Sequence, residues 1–238
     1  MSRLGLPRVH HRSADSTNER AKVLARDGAP HGTLVTADEQ SAGRGRQGRT
    51  WTARPGTAVL MSVILRELDD RHAMLPLMTA VAVCEAAEAC APVRCAIKWP
   101  NDVWIDGRKL AGILVEGRPQ EGWAVVGVGI NVTSTAADFP EELRETATSL
   151  VIESPRAAQP SRDGVLGALL EALKLRTGQE EHRILDEWRR RDALRGRSIA
   201  WDGGTGIAAG VDDGGALLVE RSGETVSLDA GEVHLFHG

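Results

Sequence analysis

Three glycines and three arginines are interleaved in residues 43–50, GRGRQGRT. Glycine lets backbone amides close onto a ligand, and Arg44, Arg46 and Arg49 can each neutralise a phosphate or carboxylate through paired hydrogen bonds. Two nucleotide-binding patterns are matched at once. Gly43-x-Gly45-x-x-Gly48 has the spacing of a dinucleotide-binding turn, and Gly43-x4-Gly48-Arg49-Thr50 differs by one residue from a phosphate-cradling loop. Both patterns need a helix directly after the last glycine, because the phosphate rests on that helix's N-terminus. The residues that follow, RTWTARPGTAV, carry Pro55 and Gly56 and run into a strand-like segment, so neither pattern is satisfied. Arg49 also stands where the phosphate-cradling loop requires a compact ammonium. The spacing therefore predicts a mobile, cationic connection between two strands.

A second stretch, KWPNDVWIDGRKLAGILVEG (98–117), sets Lys98 and Lys109 eleven residues apart beside Asn101 and Asp102. Asp102 could help to hold Mg²⁺, which takes one or two carboxylates together with substrate phosphate oxygens. Pro-Asn-Asp is equally a turn between strands. In GVGINV (127–132), polar Asn131 ends an apolar run.

These groups need rigid elements to hold them. Residues 13–30 read as a helix, with Ser16 and Glu19 as a capping box and Gly28 and Pro30 closing it. Residues 32–40 and 57–68 read as strands on either side of the Gly/Arg loop, and 74–91 as a helix rich in small residues. Four short strands follow at 94–99, 102–106, 109–117 and 123–132, with Asp106-Gly107 as a hairpin turn. A loop-rich region leads to two helices, the first marked by Leu166, Leu169, Leu170 and Leu173, the second by Ile184, Leu185 and Trp188. Arg189, Arg190 and Arg191 read as a solvated face at a helix C-terminus, or as a docking patch for an acidic partner. From 196 onward short strands alternate with Gly/Asp turns. That small β module, about 40 residues, is marginal on its own and should lean on the main domain. The order of elements predicts an α+β fold with a mixed, largely antiparallel sheet, divided into a catalytic domain at 1–195 and a β module at 196–238.

Composition narrows the classes of function. With 42% hydrophobic and 26% charged residues the chain of 238 residues is an ordinary globular protein, and its net charge of −4 gives no basic footprint for nucleic acid. Cys84, Cys90 and Cys95 have no CxxC spacing and read as reduced, buried thiols. No apolar run reaches membrane-spanning length, and the expected location is the cytoplasm.

Ser16-Thr17-Asn18, EQSAGRGRQGRTW (39–51), KWPND (98–102), RKLAGILVE (108–116) and GVGINV (127–132) occur in that order. In this the chain resembles the biotin protein ligases, from about residue 13 to 195. The tail resembles that family's small SH3-like domain, and the fold implied is that of class II aminoacyl-tRNA synthetases and biotin ligases. The resemblance implies activation of biotin by ATP to biotinyl-5′-AMP, then transfer to a lysine of a biotin carboxyl carrier domain, with Mg²⁺. It implies biotin contacts from Ser16, Thr17, Asn18, Gln40, Arg44, Gly45, Arg46 and Lys109. For the nucleotide it implies Arg46, Arg49, Trp51, Lys98, Asn101 and Asn131, with Asp102 at the metal. Lys109, Arg46 and Arg49 are the expected electrostatic catalysts, and the Gly/Arg loop is the expected lid over a hydrolysable acyl-adenylate. About fifteen residues precede Ser16, too few for the helix-turn-helix domain of family members that bind DNA. A ligase-only member without DNA binding, and a homodimer, are the corresponding expectations. The rival readings are a lipoate or octanoate protein ligase and a non-enzymatic nucleotide-binding module.

Overall fold

The computed structural model describes residues 4–66, 73–154, 159–229 and 231–236. A seven-stranded sheet runs in the order β1-β2-β3-β7-β6-β5-β4. Its strands are β1 (Arg8–Ala14), β2 (Leu34–Gln40), β3 (Ala58–Arg66), β4 (Ala96–Lys98), β5 (Asp102–Ile105), β6 (Arg108–Arg118) and β7 (Trp123–Asn131). Only β1 and β2 pair in parallel, joined by α1 (Thr17–Arg26); the other pairings are antiparallel. The fold is α+β, as expected. β1 was not expected: its sequence, RVHHRSA, is an exposed polar edge with no apolar alternation to betray it. Residues 67 and 68 of the expected strand 57–68 lie outside the described residues.

The two faces of the sheet are covered unequally. On one face lie α2 (Leu75–Cys90), α4 (Arg162–Thr177) and α5 (Glu181–Arg190). Ala80, Ala82, Ala86 and Ala87 let α2 approach closely, while Leu166, Leu169, Leu173 and Trp188 close the core around it. Each fully buried large side chain there stabilises the fold by about 1.5–3 kcal/mol. The opposite face carries only α1, which buries Ala21 and Ala25 on Val35, Ile64 and Val125. That single helix covers β2, β3 and part of β7, so the surface of β4, β5 and β6 is left as the floor of a cleft.

Two local corrections bear on that cleft. Ser16 is the N-cap of α1 but its side chain makes no capping hydrogen bond, so the expected capping box does not form. Glu19 instead pairs with Lys22 and with Arg44 of the loop. In β6, Lys109 pairs with Trp104 and Ala111 with Val103, leaving Leu110 as an extra bulged residue. Strand alternation would otherwise place Lys109 on the same face as buried Ala111 and Ile113. The bulge turns Lys109 toward the cleft and leaves Leu110 in the core.

A second antiparallel sheet, in the order β11-β10-β9-β8-β12, follows: β8 (Ser198–Trp201), β9 (Gly204–Val211), β10 (Leu217–Arg221), β11 (Glu224–Leu228) and β12 (His234–Leu235). Ile199, Ala208, Leu217, Val219 and Val233 join the main core, and Trp99 Nε1 donates to Gly215 O at 3.0 Å. Arg189 and Arg191 are not a free solvated face. Arg189 donates to Val211 O and Asp213, and Arg191 binds Glu88 and Glu187. The three cysteines are free, and burial pushes the Cys84 and Cys90 thiols above their ordinary range. No described helix is long and apolar enough to cross a membrane.

Candidate active site

A row of residues crosses the sheet in register: Lys98 opposite Asp102, Asp102 opposite Gly112, Gly112 opposite Gly129, Gly129 opposite Leu60. Partners in antiparallel register share a face, so the row alternates function by position. Charge sits at one end, and two glycines form a bare floor in the middle. The indole of Trp51 lies on that floor. A Cβ at Gly129 would come within 2.5 Å of Trp51 Cε2, and one at Gly112 within 3.1 Å of its Cζ3. Two residues along β7, on the same face, Gly127 makes room for Asn18, whose Oδ1 would lie 2.0 Å from a Cβ there. The glycines of GVGIN and KLAGIL are therefore packing sites for a ring and an amide.

The closed end of the cleft is lined by polar, uncharged side chains, with the Glu116 carboxylate behind Asn18. Gln40 Oε1 accepts from Thr17 N at 2.7 Å and from the Thr17 hydroxyl at 3.1 Å. Ser62 donates to Asn18 Oδ1 at 2.6 Å and lies 2.8 Å from the Thr17 hydroxyl. Asn18 Nδ2 donates to Leu114 O and to Glu116. Ser16, Thr17 and Asn18 are nearly buried. This end of the cleft can recognise a neutral group that carries both donors and acceptors.

The open end is cationic. Lys109 Nζ lies 2.7 Å from Asp102 Oδ1, an ionic contact off the hydrogen-bonding direction, and 5.8 Å from the centre of the Trp51 ring. Lys98 stands over Trp104 at 5.4 Å; burial pushes its ammonium below the ordinary lysine range, and Lys109 and Arg49 add to this against the opposing pull of Asp102. Arg46 approaches Asn101 Oδ1 at 3.4 Å, while Asn101 Nδ2 donates to Ile113 O. Arg49 is paired with Glu232, which reaches in from the second sheet. Arg46, Arg49, Lys98 and Lys109 outnumber Asp102 and Glu232 along the lining, so the cleft attracts anions.

The Gly/Arg loop closes over all of this. Arg44 and Thr50 form an antiparallel bridge, Gly45 N donates to Arg49 O and Trp51 N to Gly43 O. Gln47 and Gly48 make the tip, both at positive φ. With the loop and Trp51 in place the enclosed volume is about 120 Å³, well short of the roughly 300–1,000 Å³ of a pocket for a drug-sized ligand.

Of the residues singled out in the sequence, Ser16, Thr17, Asn18, Gln40, Arg44, Gly45, Arg46, Arg49, Trp51, Lys98, Asn101, Asp102 and Lys109 line this one cleft. Asn131 does not. It is buried, and its Nδ2 donates to Thr148 O; the segment it anchors pairs in turn with the backbone of Lys109. The side chain of Arg44 turns out of the cleft, toward Glu19 and Glu116. Ser62, Glu116 and Glu232 were missed as site residues. Ser62 is a lone polar residue in an apolar strand and Glu116 lies near the end of one, and nothing local marks Glu232. For a divalent ion the chain itself offers little: among the described residues no three His, Cys, Asp or Glu side chains cluster.

The model of the Biotin/lipoate A/B protein ligase family matches residues 11–132, just over half of the chain. The chain belongs to this family. Among its relatives, the bifunctional ligase/repressor of Bacillus subtilis is 36% identical over 98% of this chain and 75% of its own length. The biotin–[acetyl-CoA-carboxylase] ligase of Mycobacterium tuberculosis is 35% identical over 92% of this chain and 85% of its own. Among solved structures, the biotin protein ligase of Aquifex aeolicus in complex with biotin and ATP superposes with a TM-score of 0.84, at 27% identity, over 97% of this chain and 99% of that one. The structural likeness thus extends beyond residue 132, over nearly the whole chain.

Proposed function

We propose that the protein is an ATP-dependent biotin ligase. A carboxylate oxygen of biotin attacks the α-phosphorus of ATP, the bond to pyrophosphate breaks, and biotinyl-5′-AMP forms. The ε-amine of a lysine on a biotin carboxyl carrier domain then attacks the acyl carbon, AMP leaves with the bonding pair, and the amine's proton passes to solvent. One observation carries this reading: a neutral hydrogen-bonding recess and a cationic end share one glycine-floored cleft beneath a closable lid.

Two anions must meet in the first step, so positioning and charge neutralisation dominate. Lys109, turned in by the bulge, stands where the carboxylate and α-phosphate would approach each other. Arg46 and Arg49 are placed to hold phosphate oxygens, with Arg49 exchanging Glu232 for them. Asp102, whose Oδ1 is buried without a hydrogen bond, would hold Mg²⁺ together with those phosphates, and the ion would offset their charge. The recess also argues for biotin over lipoate. A ureido group can exchange hydrogen bonds with the polar side chains of Thr17, Asn18 and Gln40, whereas a dithiolane has none to offer them.

The test is pyrophosphate release with Mg-ATP and biotin, lipoate or no acid, before any carrier is added. Biotin-dependent release is expected. Lipoate-dependent release would keep the fold and overturn the substrate, and no release with either acid would return the loop to a binding role.

A further inference from the structure

We propose, resting on that reading, that Glu116 is a positioning residue that ties the biotin recess to the lid. Strand alternation in β6 puts Glu116 on the cleft face, two positions beyond Leu114 and against α1. Its Oε2 accepts from Asn18 Nδ2 at 2.9 Å, and its Oε1 accepts from Lys22 Nζ at 2.9 Å. The same Oε1 lies 3.5 Å from Arg44 Nη1, on the arm of the lid that leaves β2. Glu19 binds both Arg44 and Lys22. The four side chains thus form a ring of alternating charge, Arg44, Glu19, Lys22, Glu116 and back to Arg44.

The ring is more than a decorated surface. Lys22 is only 13% exposed and Glu116 22%. Burial pushes the Glu116 carboxyl up, but hydrogen bonds from Asn18 and Lys22 and the charges of Lys22 and Arg44 outweigh it, and the group stays ionised at neutral pH. Asn18 has both amide protons committed, Nδ2 to Glu116 and Leu114 O, while Oδ1 accepts from Ser62 and keeps a second lone pair for the recess. Glu116 therefore decides which way the Asn18 amide points in the recess, and the same carboxylate anchors Arg44. A head group that fixes Asn18 and Thr17 also steadies Glu19, the next residue of α1, and with it the second anchor of the lid. By reciprocity, a closed lid favours the binding-ready recess.

Exposed ion pairs taken singly contribute little, so a ring with no link to the recess would leave ligand binding unchanged. Glu116→Gln keeps an oxygen for Asn18 but removes the charge that faces Arg44 and Lys22. Arg44→Gln removes the lid's side of the ring at a half-exposed position that does not risk the fold. Both variants would be compared with wild type for thermal melting, for the KM of biotin and of ATP in pyrophosphate release, and for tryptic cleavage after Arg46 and Arg49, with and without biotin. Expected are a roughly tenfold rise in biotin KM for each single variant, corresponding to about 1.4 kcal/mol, and an ATP KM within about twofold of wild type. The double variant should be no worse than the weaker single, because residues in one network do not add. In the ligand-free protein, lid cleavage should be several-fold faster in Glu116→Gln, and biotin should no longer slow it. Effects that multiply in the double variant, equal rises in both KM values, or undiminished protection of the lid by biotin would each overturn the proposal. If wild type ignores biotin, the functional reading falls, and cleavage of the ligand-free lid still decides whether Glu116 anchors it.

Discussion

At Lys109, a single side chain depends on several layers of support. Its backbone N–H donates to Thr146 O at 2.7 Å and its carbonyl accepts from Thr148 N at 2.9 Å. Asn131 holds Thr148 in place. The side chain is about one-third exposed and carries no part of the core, so its removal tests chemistry and not folding. Lys109→Ala should lower biotin-dependent pyrophosphate release by about 100-fold or more, the range seen when one preorganised electrostatic group is lost. Its melting temperature should stay close to that of wild type. Near-normal release would remove Lys109 from the mechanism, whatever its place in the motif.

Strands and the lid meet at the glycine floor. β6 and β7 surrender side chains at Gly112 and Gly129 so that the Trp51 indole can lie flat, with its Nε1 buried and unpartnered. A methyl group at Gly129 would sit 2.5 Å from the ring, closer than any packed contact, so the ring has to leave. Gly129→Ala should therefore keep the sheet and lose the closed lid. Expected are an unchanged far-ultraviolet circular dichroism spectrum, faster tryptic cleavage at Arg46 and Arg49, and a release rate at least tenfold lower. A variant with a protected lid and full activity would show that Trp51 has no fixed seat. The helix read at 13–30 illustrates the limit of local signals at this scale. Its core, Thr17–Arg26, forms, yet Ser16 and Glu19 serve the cleft and the lid in place of each other. The type I′-like turn at Asp106-Gly107, with φ of 48° and 79°, is by contrast entirely local and forms where its residue types place it.

At the scale of the whole molecule, the two sheets share one core. Trp99, Arg189 and Arg191 bolt β4 and α5 to their surroundings, and Glu232 brings the second sheet into the cleft. Unfolding should be a single cooperative transition by scanning calorimetry, with calorimetric and van't Hoff enthalpies equal. Two resolved peaks would mean that the sheets unfold separately. The same scans should show an acid dependence of known sign. Asp15, Asp38, Glu116, Asp138 and Glu187 all titrate below their ordinary range. The Asp138 carboxyl, held by Thr135 and Arg54, titrates at about 2. A carboxyl lowered by folding stabilises above its unfolded pKa, roughly 4. That contribution is lost as pH falls through the folded values. The melting temperature should hold from neutrality to about pH 5 and drop steadily toward pH 2; a flat profile over that range would contradict the ion pairs involved.

The sequence by itself determined the α+β class, most strands and helices, and most of the residues that line the cleft, because apolar periodicity, turn residues and a set of ordered motifs are local properties of the chain. Lys98, Asp102 and Lys109 could be named from KWPND and RKLAG alone. Only the tertiary structure decided how they face one another. The side to which Lys109 points depends on one bulged residue, Leu110, whose effect exists only relative to the paired strand. The polar edge strand β1 has no signal until β2 lies beside it. Asn131, read as a cleft residue, anchors a loop, since a strand-end amide bonds to whatever backbone the fold delivers. Glu116 and Glu232 acquire meaning from Arg44 and Arg49, residues 72 and 183 positions away in the chain. Electrostatic partnership acts through space, and neither spacing nor composition along the chain records it.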